Sequence, residues 1–248
     1  MSGTVEPRAR CLEALDIFVL AGGLGTRIRP ALGDLPKLLA PISGRPYLAY
    51  LFDWLERFGA RRVVLGLGYK AEAVIGHLNA QPPRRIDVVT IVEPSPLGTA
   101  GAIRFARNAL QSDPVLIMNG DSFVDADLCA FVECHCRNKA IGTVLCAEVN
   151  DGGRYGRVEL DRRGRIVGFV EKDAAFHGRA LISAGVYLLS ARLLDDIASG
   201  AAASIEHDVF ERLPAGTLAA FAGRFQFIDI GTPESLERAG GLLGAGPA

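Results

Sequence analysis

Short apolar runs and amphipathic segments alternate through the first half of the chain. The runs are rich in β-branched residues and end at polar or glycine residues, which is typical of buried parallel strands. The segments between them carry apolar residues at helical spacing, as Leu48, Leu51 and Leu55 do. The pattern predicts strands at 17–20, 62–67, 86–92 and 114–118, and helices at 47–58, 71–78 and from the loop after 92 to 110. Strands that alternate with helices of this length predict βαβ units, a mostly parallel sheet and hence an α/β fold.

The second half of the chain has shorter runs and more turns. Two apolar stretches around the turn at 161–164 predict a β-hairpin over 155–170, which ends at Glu171. Residues 1–16 are predicted to be a loosely ordered leader. No repeat or linker divides the chain, so we expect one domain over residues 1–248. The remaining predicted strands are 181–189, 217–221 and 225–228, and the remaining helices are 128–136, 193–197, 205–213 and one after 229–235.

Composition narrows the classes of function. The chain has 248 residues, 49% of them hydrophobic, and its formal net charge of -1 argues against a nucleic-acid or anionic-membrane partner. We expect neither a signal peptide nor a membrane anchor, because no apolar run is long enough. The five cysteines are odd in number and scattered, which predicts reduced thiols in a cytoplasmic protein. Cys134-His135-Cys136 has no second pair of ligands after it, so we do not expect zinc there.

The strongest local signal for chemistry follows the first predicted strand. A Gly-Gly-Leu-Gly loop begins at Gly22, and glycines let the backbone turn tightly and present its N–H groups to an anion. Arg27 and Lys37 then add cationic donors that can bind phosphate oxygens. The loop lacks the Gly-Lys pair of a Walker motif and the third glycine of the dinucleotide fingerprint. We therefore expect a polyphosphate site of another kind.

The pattern Gly-Gly-x-Gly-Thr-Arg-x-x-Pro, with a Pro-Lys pair ending at Lys37, resembles the signature loop of the sugar-1-phosphate nucleotidyltransferases. The order of the later motifs extends this resemblance from Asp16 to Leu236. The resemblance implies a Rossmann-like three-layer α/β fold with a mostly parallel mixed sheet, flanking helices and a small β-hairpin substrate region. Residues 16–125 would be the nucleotide-binding half and residues 140–236 the sugar-binding half. Members of this family transfer a nucleoside monophosphate to a sugar 1-phosphate and release pyrophosphate.

Such a reaction brings two anions together, so the site needs cations rather than a covalent nucleophile. The resemblance implies that Arg27 stabilises charge on the nucleotide phosphates, and that Lys37 and Lys172 orient the two reacting phosphates. Glu93 would accept hydrogen bonds from an amino-bearing base such as guanine, or would be a plain charged strand end. The residues that the resemblance assigns to the nucleotide are Leu20, Ala21, Gly22, Gly23, Gly25, Thr26, Glu93, Pro96, Gly98, Thr99 and Gly101.

Asp121 and Asp229 match the two family positions that hold the catalytic metal ion, which we expect to be Mg²⁺. Carboxylates are the hard oxygen ligands that Mg²⁺ prefers. Asp229 could instead form an ordinary turn before a proline. Asp125-Ala-Asp127 allows a rival interpretation, because many glycosyltransferases bind metal through an Asp-x-Asp motif. Asp127 is also well placed to cap the helix that follows, which makes the rival the weaker interpretation.

On the sugar side, the resemblance implies that Tyr155-Gly156 and Ala184-Gly185 flank the sugar and that Glu171 contacts it. Ser183 precedes Ala-Gly at a position where asparagine is common in the family. Because of this difference, the sequence does not decide whether the side chain at 183 contacts a sugar hydroxyl. His207 is expected to be structural. The residues assigned to the sugar are Asn119, Tyr155, Gly156, Glu171, Ser183, Gly185 and Asp208.

Within the family, the short chain and the Ser-Pro-Leu-Gly-Thr-Ala-Gly loop look most like bacterial guanylyltransferases acting on D-glycero-α-D-manno-heptose 1-phosphate. The expected substrates are therefore GTP and that heptose phosphate, for capsule or surface-layer glycans. Mannose 1-phosphate with GTP, or glucose 1-phosphate with dTTP or UTP, are the alternatives. Two other classes stay open, a non-catalytic subunit that binds nucleotide sugar and a glycosyltransferase. Many relatives are oligomers, so a homodimer is a further expectation.

Overall fold

The computed structural model describes residues 10–243. Residues 1–9 of the predicted leader lie outside this range. Residues 10–15 form a turn that packs on the domain, where Leu12 is fully buried and its N–H donates to the Phe58 carbonyl at 3.1 Å. The expectation of a loose leader is therefore wrong for this part, because an apolar side chain anchors it.

Thirteen strands and seven α-helices form the described chain. The strands are β1 (Asp16–Ala21), β2 (Pro41–Ile42), β3 (Arg45–Pro46), β4 (Arg62–Leu67), β5 (Asp87–Val92), β6 (Val115–Asn119), β7 (Ser122–Val124), β8 (Gly142–Val149), β9 (Arg157–Leu160), β10 (Ile166–Val170), β11 (Ala180–Leu189), β12 (Leu218–Gly223) and β13 (Phe227–Asp229). The helices are α1 (Arg29–Leu32), α2 (Tyr47–Arg57), α3 (Ala71–Ala80), α4 (Gly98–Ala106), α5 (Leu128–Asn138), α6 (Ala191–Ser199) and α7 (Pro233–Leu243). None of these helices in 10–243 combines the length and the apolar character that crossing a bilayer demands.

Nine strands form the central mixed sheet. β1 lies between β4 and β6 in parallel, and β5 extends this parallel region beyond β4. β11 runs antiparallel to both β6 and β8, and the β9–β10 hairpin joins the sheet beside β11. The parallel strands β1, β4, β5 and β6 belong to the first half of the chain, as their apolar runs predict, whereas β12 pairs in parallel with β8 in the second half. The expected α/β fold is confirmed.

Alternate side chains of β1 pack on opposite faces of the sheet. Ile17 and Val19 belong to a core with the apolar faces of α2, α3 and α5, whereas Phe18 belongs to a second core with α4 and α6. This division follows from the two-residue repeat of a strand. The molecule is therefore a three-layer structure with a sheet between two layers of helices.

Two features that position the site were not fully predicted. β8 was missed, because its first six residues are buried without alternation and no turn signal precedes it. β7 was also missed, and it pairs antiparallel with β13 so that Asp229 lies opposite Ser122. This pair brings the C-terminal part of the chain to the end of β6.

The cysteines differ from the expectation. Cys11 and Cys129 form a disulfide with Cα atoms 5.3 Å apart, so the prediction of free thiols is wrong for this pair. Only the fold brings the segment before β1 to the start of α5, which spacing along the chain could not reveal. Cys134, Cys136 and Cys146 are free, and His135 Nδ1 lies 2.8 Å from Thr143 Oγ1 in the interior.

Candidate active site

Two cavities open side by side at the carboxyl ends of the parallel strands. The first has a volume of about 340 Å³ and is lined by the ends of β1, β4, β5 and β6. The second has about 280 Å³ and lies between β6, the β9–β10 hairpin, β11 and the segment after β13. Asn119 and Asp121 line both cavities. Ligands in the two cavities would therefore meet at the end of β6.

Most of the predicted nucleotide residues line the first cavity. Three do not: Gly25 borders a smaller neighbouring cleft, Thr26 is exposed, and Gly101 is buried inside α4. The predicted residues that line the first cavity are Leu20, Ala21, Gly22, Gly23, Glu93, Pro96, Gly98 and Thr99.

Glu93 is packed directly against the glycine loop. A Cβ at Gly22 would lie 2.8 Å from Glu93 Oε1, so a larger residue at this position would displace the Glu93 carboxylate. Glu93 Oε2 accepts a hydrogen bond from the Leu97 N–H at 3.3 Å, and burial raises the pKa of the Glu93 carboxyl group. The carboxylate is thereby oriented as an acceptor in the wall of the first cavity.

Cationic side chains lie on both sides of the boundary between the cavities. Lys37 lines the first cavity, and its Nζ lies 2.6 Å from Asp121 Oδ2. Arg27 lines the second cavity, and its guanidinium lies 3.6 Å from the place that a Cβ on Gly231 would occupy. Positive charge is thus available where two anionic ligands would approach each other. Lys172 is exposed and lines neither cavity, so the geometry does not support its predicted role.

The two predicted metal-binding aspartates lie in the same cavity wall. The Ile230 N–H donates to the Asp121 carbonyl at 2.8 Å, beside the β7–β13 pair, and both Asp121 and Asp229 line the second cavity. Their carboxylate oxygens fit the preference of Mg²⁺ for hard ligands. Asp127 Oδ1 instead accepts from the backbone N–H groups of Cys129 at 2.8 Å and Ala130 at 3.2 Å, as the capping interpretation predicted.

The second cavity contains most of the predicted sugar residues. Asp208 is the exception, because its carboxylate accepts from the Ala203 and Ser204 N–H groups at 2.9 and 2.8 Å and faces a different cleft. This geometry does not support the prediction that Asp208 accepts a hydrogen bond from a sugar hydroxyl. The predicted residues that line the second cavity are Asn119, Tyr155, Gly156, Glu171, Ser183 and Gly185.

The sequence did not single out Arg157, Glu206 and Glu211, which also line the second cavity. His207 was expected to be structural, yet it lies in the same wall. Its Nδ1 lies 2.9 Å from Glu211 Oε1 and 3.4 Å from Glu171 Oε1, and the hydrogen bond to Glu211 raises the pKa of His207. The four-residue spacing of His207 and Glu211 was a usable signal, whereas the contact with Glu171 depends on the fold.

Gly185 and Asn119 touch where the two cavities meet. Gly185 has a φ of 71°, which side chains other than glycine rarely adopt. A Cβ there would also clash with the Asn119 amide. Gly185 is thus required both by its backbone conformation and by its contact.

We expect Gly185→Ala to lower the free energy of unfolding by about 3 kcal/mol or more, because strain at positive φ adds to the clash. The control is Gly164→Ala, which has a φ of 73° but no atom within 4 Å of the added Cβ. That variant should lose only about 1–2 kcal/mol from backbone strain. Urea unfolding measures both. Equal losses would show that the Asn119 contact contributes nothing.

Comparison with known proteins identifies the family. The profile described as "Nucleotidyl transferase" matches residues 17–243. The chain belongs to this nucleotidyl transferase family. The D-glycero-alpha-D-manno-heptose 1-phosphate guanylyltransferase of Campylobacter jejuni is 32% identical over 220 residues, which cover 89% of this chain and 96% of the relative. The mannose-1-phosphate guanylyltransferase of Mycobacterium tuberculosis is 31% identical over 227 residues, which cover 90% of this chain and 63% of that longer relative.

A solved structure supports the same assignment for this nucleotidyltransferase. HddC from Yersinia pseudotuberculosis, in a structure described as complexed with GMP-PN, superposes with a TM-score of 0.82 at 34% identity. The match covers 92% of this chain and 99% of HddC. The residues that line both cavities lie within the region that the family profile matches.

Proposed function

We propose that this nucleotidyltransferase transfers GMP from GTP to D-glycero-α-D-manno-heptose 1-phosphate, giving GDP-heptose and pyrophosphate. The observation that carries the proposal is the pair of cavities that meet at Asn119 and Asp121. GTP would occupy the first cavity and the sugar phosphate the second. The sugar phosphate could then attack the α-phosphorus in line, because both reactants are held at one boundary.

The cations at the boundary supply the catalytic part of the proposal. Arg27 would act from the wall of the second cavity on the charge that develops on the nucleotide phosphates at the boundary, and Lys37 would orient the reacting phosphate from the first cavity. Backbone N–H groups of the glycine loop would hold the remaining phosphate oxygens. Such prearranged donors stabilise the transition state, because they need no reorganisation as charge moves. Substrate phosphates would compete with Asp121 for Lys37, whose Nζ lies 2.6 Å from that carboxylate.

Asp121 and Asp229 are the residues that would hold Mg²⁺, as their shared cavity wall and their oxygen donors allow. When bound there, the ion would neutralise phosphate oxygens and make phosphorus easier to attack. Asp229 lies in β13 opposite Ser122 of β7, and Asp121 immediately precedes β7, so the strand pair fixes the two aspartates relative to each other.

Glu93 supports the choice of guanine. Its carboxylate is held in the first cavity by the Leu97 N–H and can only accept hydrogen bonds while it is ionised. Guanine presents adjacent N–H groups on one edge, whereas the corresponding edges of thymine and uracil place carbonyl oxygens beside their single N–H. The names of the guanylyltransferase relatives agree with this choice.

The heptose is supported by two relatives of matching length. The heptose 1-phosphate guanylyltransferases of Campylobacter jejuni and Aneurinibacillus thermoaerophilus are each covered over 96% of their length. Mannose 1-phosphate is the second candidate, because a mannose-1-phosphate guanylyltransferase is almost equally identical. We further propose that the enzyme works in the cytoplasm as a homodimer and supplies GDP-heptose for surface polysaccharide.

The test is pyrophosphate release with Mg²⁺, using GTP, dTTP, UTP, CTP and ATP in turn with the heptose, mannose and glucose 1-phosphates. We expect release with GTP and the heptose phosphate to exceed all other pairs. Preference for mannose 1-phosphate would keep the reaction and correct the sugar. No release with any pair would contradict the enzymatic proposal and favour a subunit that only binds nucleotide sugar. A glycosyltransferase would instead transfer sugar from ready-made GDP-mannose to an acceptor.

A further inference from the structure

Three glutamates, Glu171, Glu206 and Glu211, line the second cavity, and they differ in how they are held. Glu171 and Glu211 both lie beside His207, and 73% and 36% of their side-chain surface is exposed. Glu206 is half-buried and lies closer to the sheet. A half-buried, oriented carboxylate can discriminate between ligands better than a mobile one at the rim.

A chain of hydrogen bonds joins Glu206 to strand β11. The Gly185 N–H donates to Ser183 Oγ at 3.3 Å, and Ser183 Oγ donates to the Tyr187 hydroxyl at 3.3 Å. The Tyr187 hydroxyl then donates to Glu206 Oε1 at 2.7 Å. Tyr187 is only 1% exposed, and burial raises the pKa of its hydroxyl, so this group stays a donor. The buried ring therefore fixes one oxygen of the Glu206 carboxylate.

The backbone next to Glu206 is held from the other cavity. The Ile205 N–H donates to Thr99 Oγ1 at 2.8 Å, and the Ala100 N–H donates to the Ala203 carbonyl at 2.9 Å. Thr99 lines the first cavity. Glu206 is thus fixed through its side chain and through the adjoining backbone, and it has little freedom left to lose on binding.

Ser183 and Glu206 both line the second cavity, but they differ in their remaining capacity to hydrogen-bond a sugar. Ser183 Oγ already donates to Tyr187 and accepts from Gly185, so it has little capacity for a ligand. Within residues 10–243, no protein group hydrogen-bonds to Glu206 Oε2, although Glu206 lines the cavity. Its remaining capacity is that of an acceptor, which suits the hydroxyl of a neutral sugar.

We propose that Glu206 is a specificity-determining residue, whose Oε2 accepts a hydrogen bond from one hydroxyl of the sugar 1-phosphate, and that Tyr187 is its positioning residue. The inference rests on the proposed function, since it assumes that the second cavity binds the sugar. Glu206 would make the hydrogen bond to the sugar hydroxyl that was expected of Ser183, whose hydroxyl is already bonded to Tyr187 and Gly185.

The test combines Glu206→Gln with substrates that each lack one hydroxyl. Glutamine keeps the size of the side chain and can still accept from Tyr187, but loses the charge. With GTP and the preferred sugar 1-phosphate, we expect the KM for the sugar phosphate to rise about 10- to 100-fold, the range for a hydrogen bond to a charged group. The KM for GTP should stay unchanged. One monodeoxy analogue of that sugar 1-phosphate should be a poor substrate for the wild-type enzyme, whereas the variant should use this analogue as well as the parent compound.

Tyr187→Phe is the second variant, because it keeps the ring and removes only the hydroxyl. It should raise the KM for the sugar phosphate with the same monodeoxy pattern and leave the KM for GTP unchanged. The inference is overturned if both variants fold and removal of each sugar hydroxyl lowers kcat/KM by the same factor in the variants as in the wild-type enzyme. Glu206 would then have only a structural role. If the wild-type enzyme releases no pyrophosphate with any sugar phosphate, the proposed function itself is wrong, and this inference fails with it.

Discussion

Asp121→Asn should lower kcat by about 10³-fold or more while the protein stays folded, since the site loses a charged metal ligand and its transition-state stabilisation. Asp121 lines both cavities, and its carbonyl and carboxylate are held by Ile230 and Lys37 respectively. Asparagine keeps the shape of the side chain and the backbone contact. The substitution removes the negative charge, and with it the affinity for a divalent cation and the ion pair with Lys37.

The matched control for this variant is Asp125→Asn. Asp125 follows the same β6–β7 region but is exposed and lines neither cavity. Its turnover should stay within about twofold of wild type, as expected for a residue that contacts no substrate. Steady-state kinetics over a Mg²⁺ titration, with thermal melting as the folding check, measure both variants. If Asp121→Asn is as active as Asp125→Asn, the metal assignment is wrong.

The elements that the sequence predicted well depend on local periodicity. Residues 62–67 were predicted as a strand and match β4, and the helix at 47–58 differs from α2 by its last residue. Both carry one continuous signal, an apolar run in the first case and helical spacing in the second. The ends of such strands then place Glu93 and Asp121 at one edge, because parallel strands share an orientation.

The parts that failed depend on contacts between distant segments. Cys11 and Cys129 are separated by 118 residues, and no local pattern pairs them. The different roles of Asp208 and Glu206 could not be predicted from the sequence either, although the two residues are close in the chain. Both are acidic residues of one short segment, but the backbone there turns as a π-helix over Ile205–Val209, with Asp208 binding the N–H groups before it and Glu206 facing the cavity. Which of the two faces a ligand depends on the turn, and residue type alone does not determine it.

Arg27→Ala should lower kcat about 10²- to 10³-fold, with a smaller change in the KM for GTP, because its charge matters most when phosphate charge develops. Arg27 lies in the second cavity with Asp229, close to the boundary that the reacting phosphates would share. Arg27→Lys should recover part of the loss, since lysine keeps the charge but cannot bind two oxygens with one planar group.

Arg162→Ala controls for the loss of one positive charge, since Arg162 is exposed in the turn of the β9–β10 hairpin and lines neither cavity. It should leave kcat and the KM for GTP unchanged. Single-turnover rates with GTP and the preferred sugar phosphate separate the chemical step from product release. A normal single-turnover rate in Arg27→Ala would remove Arg27 from the chemical step. If Arg27→Ala loses activity, Arg27→Lys partly restores it and Arg162→Ala has no effect, the positive charge of Arg27 acts at the transferring phosphate.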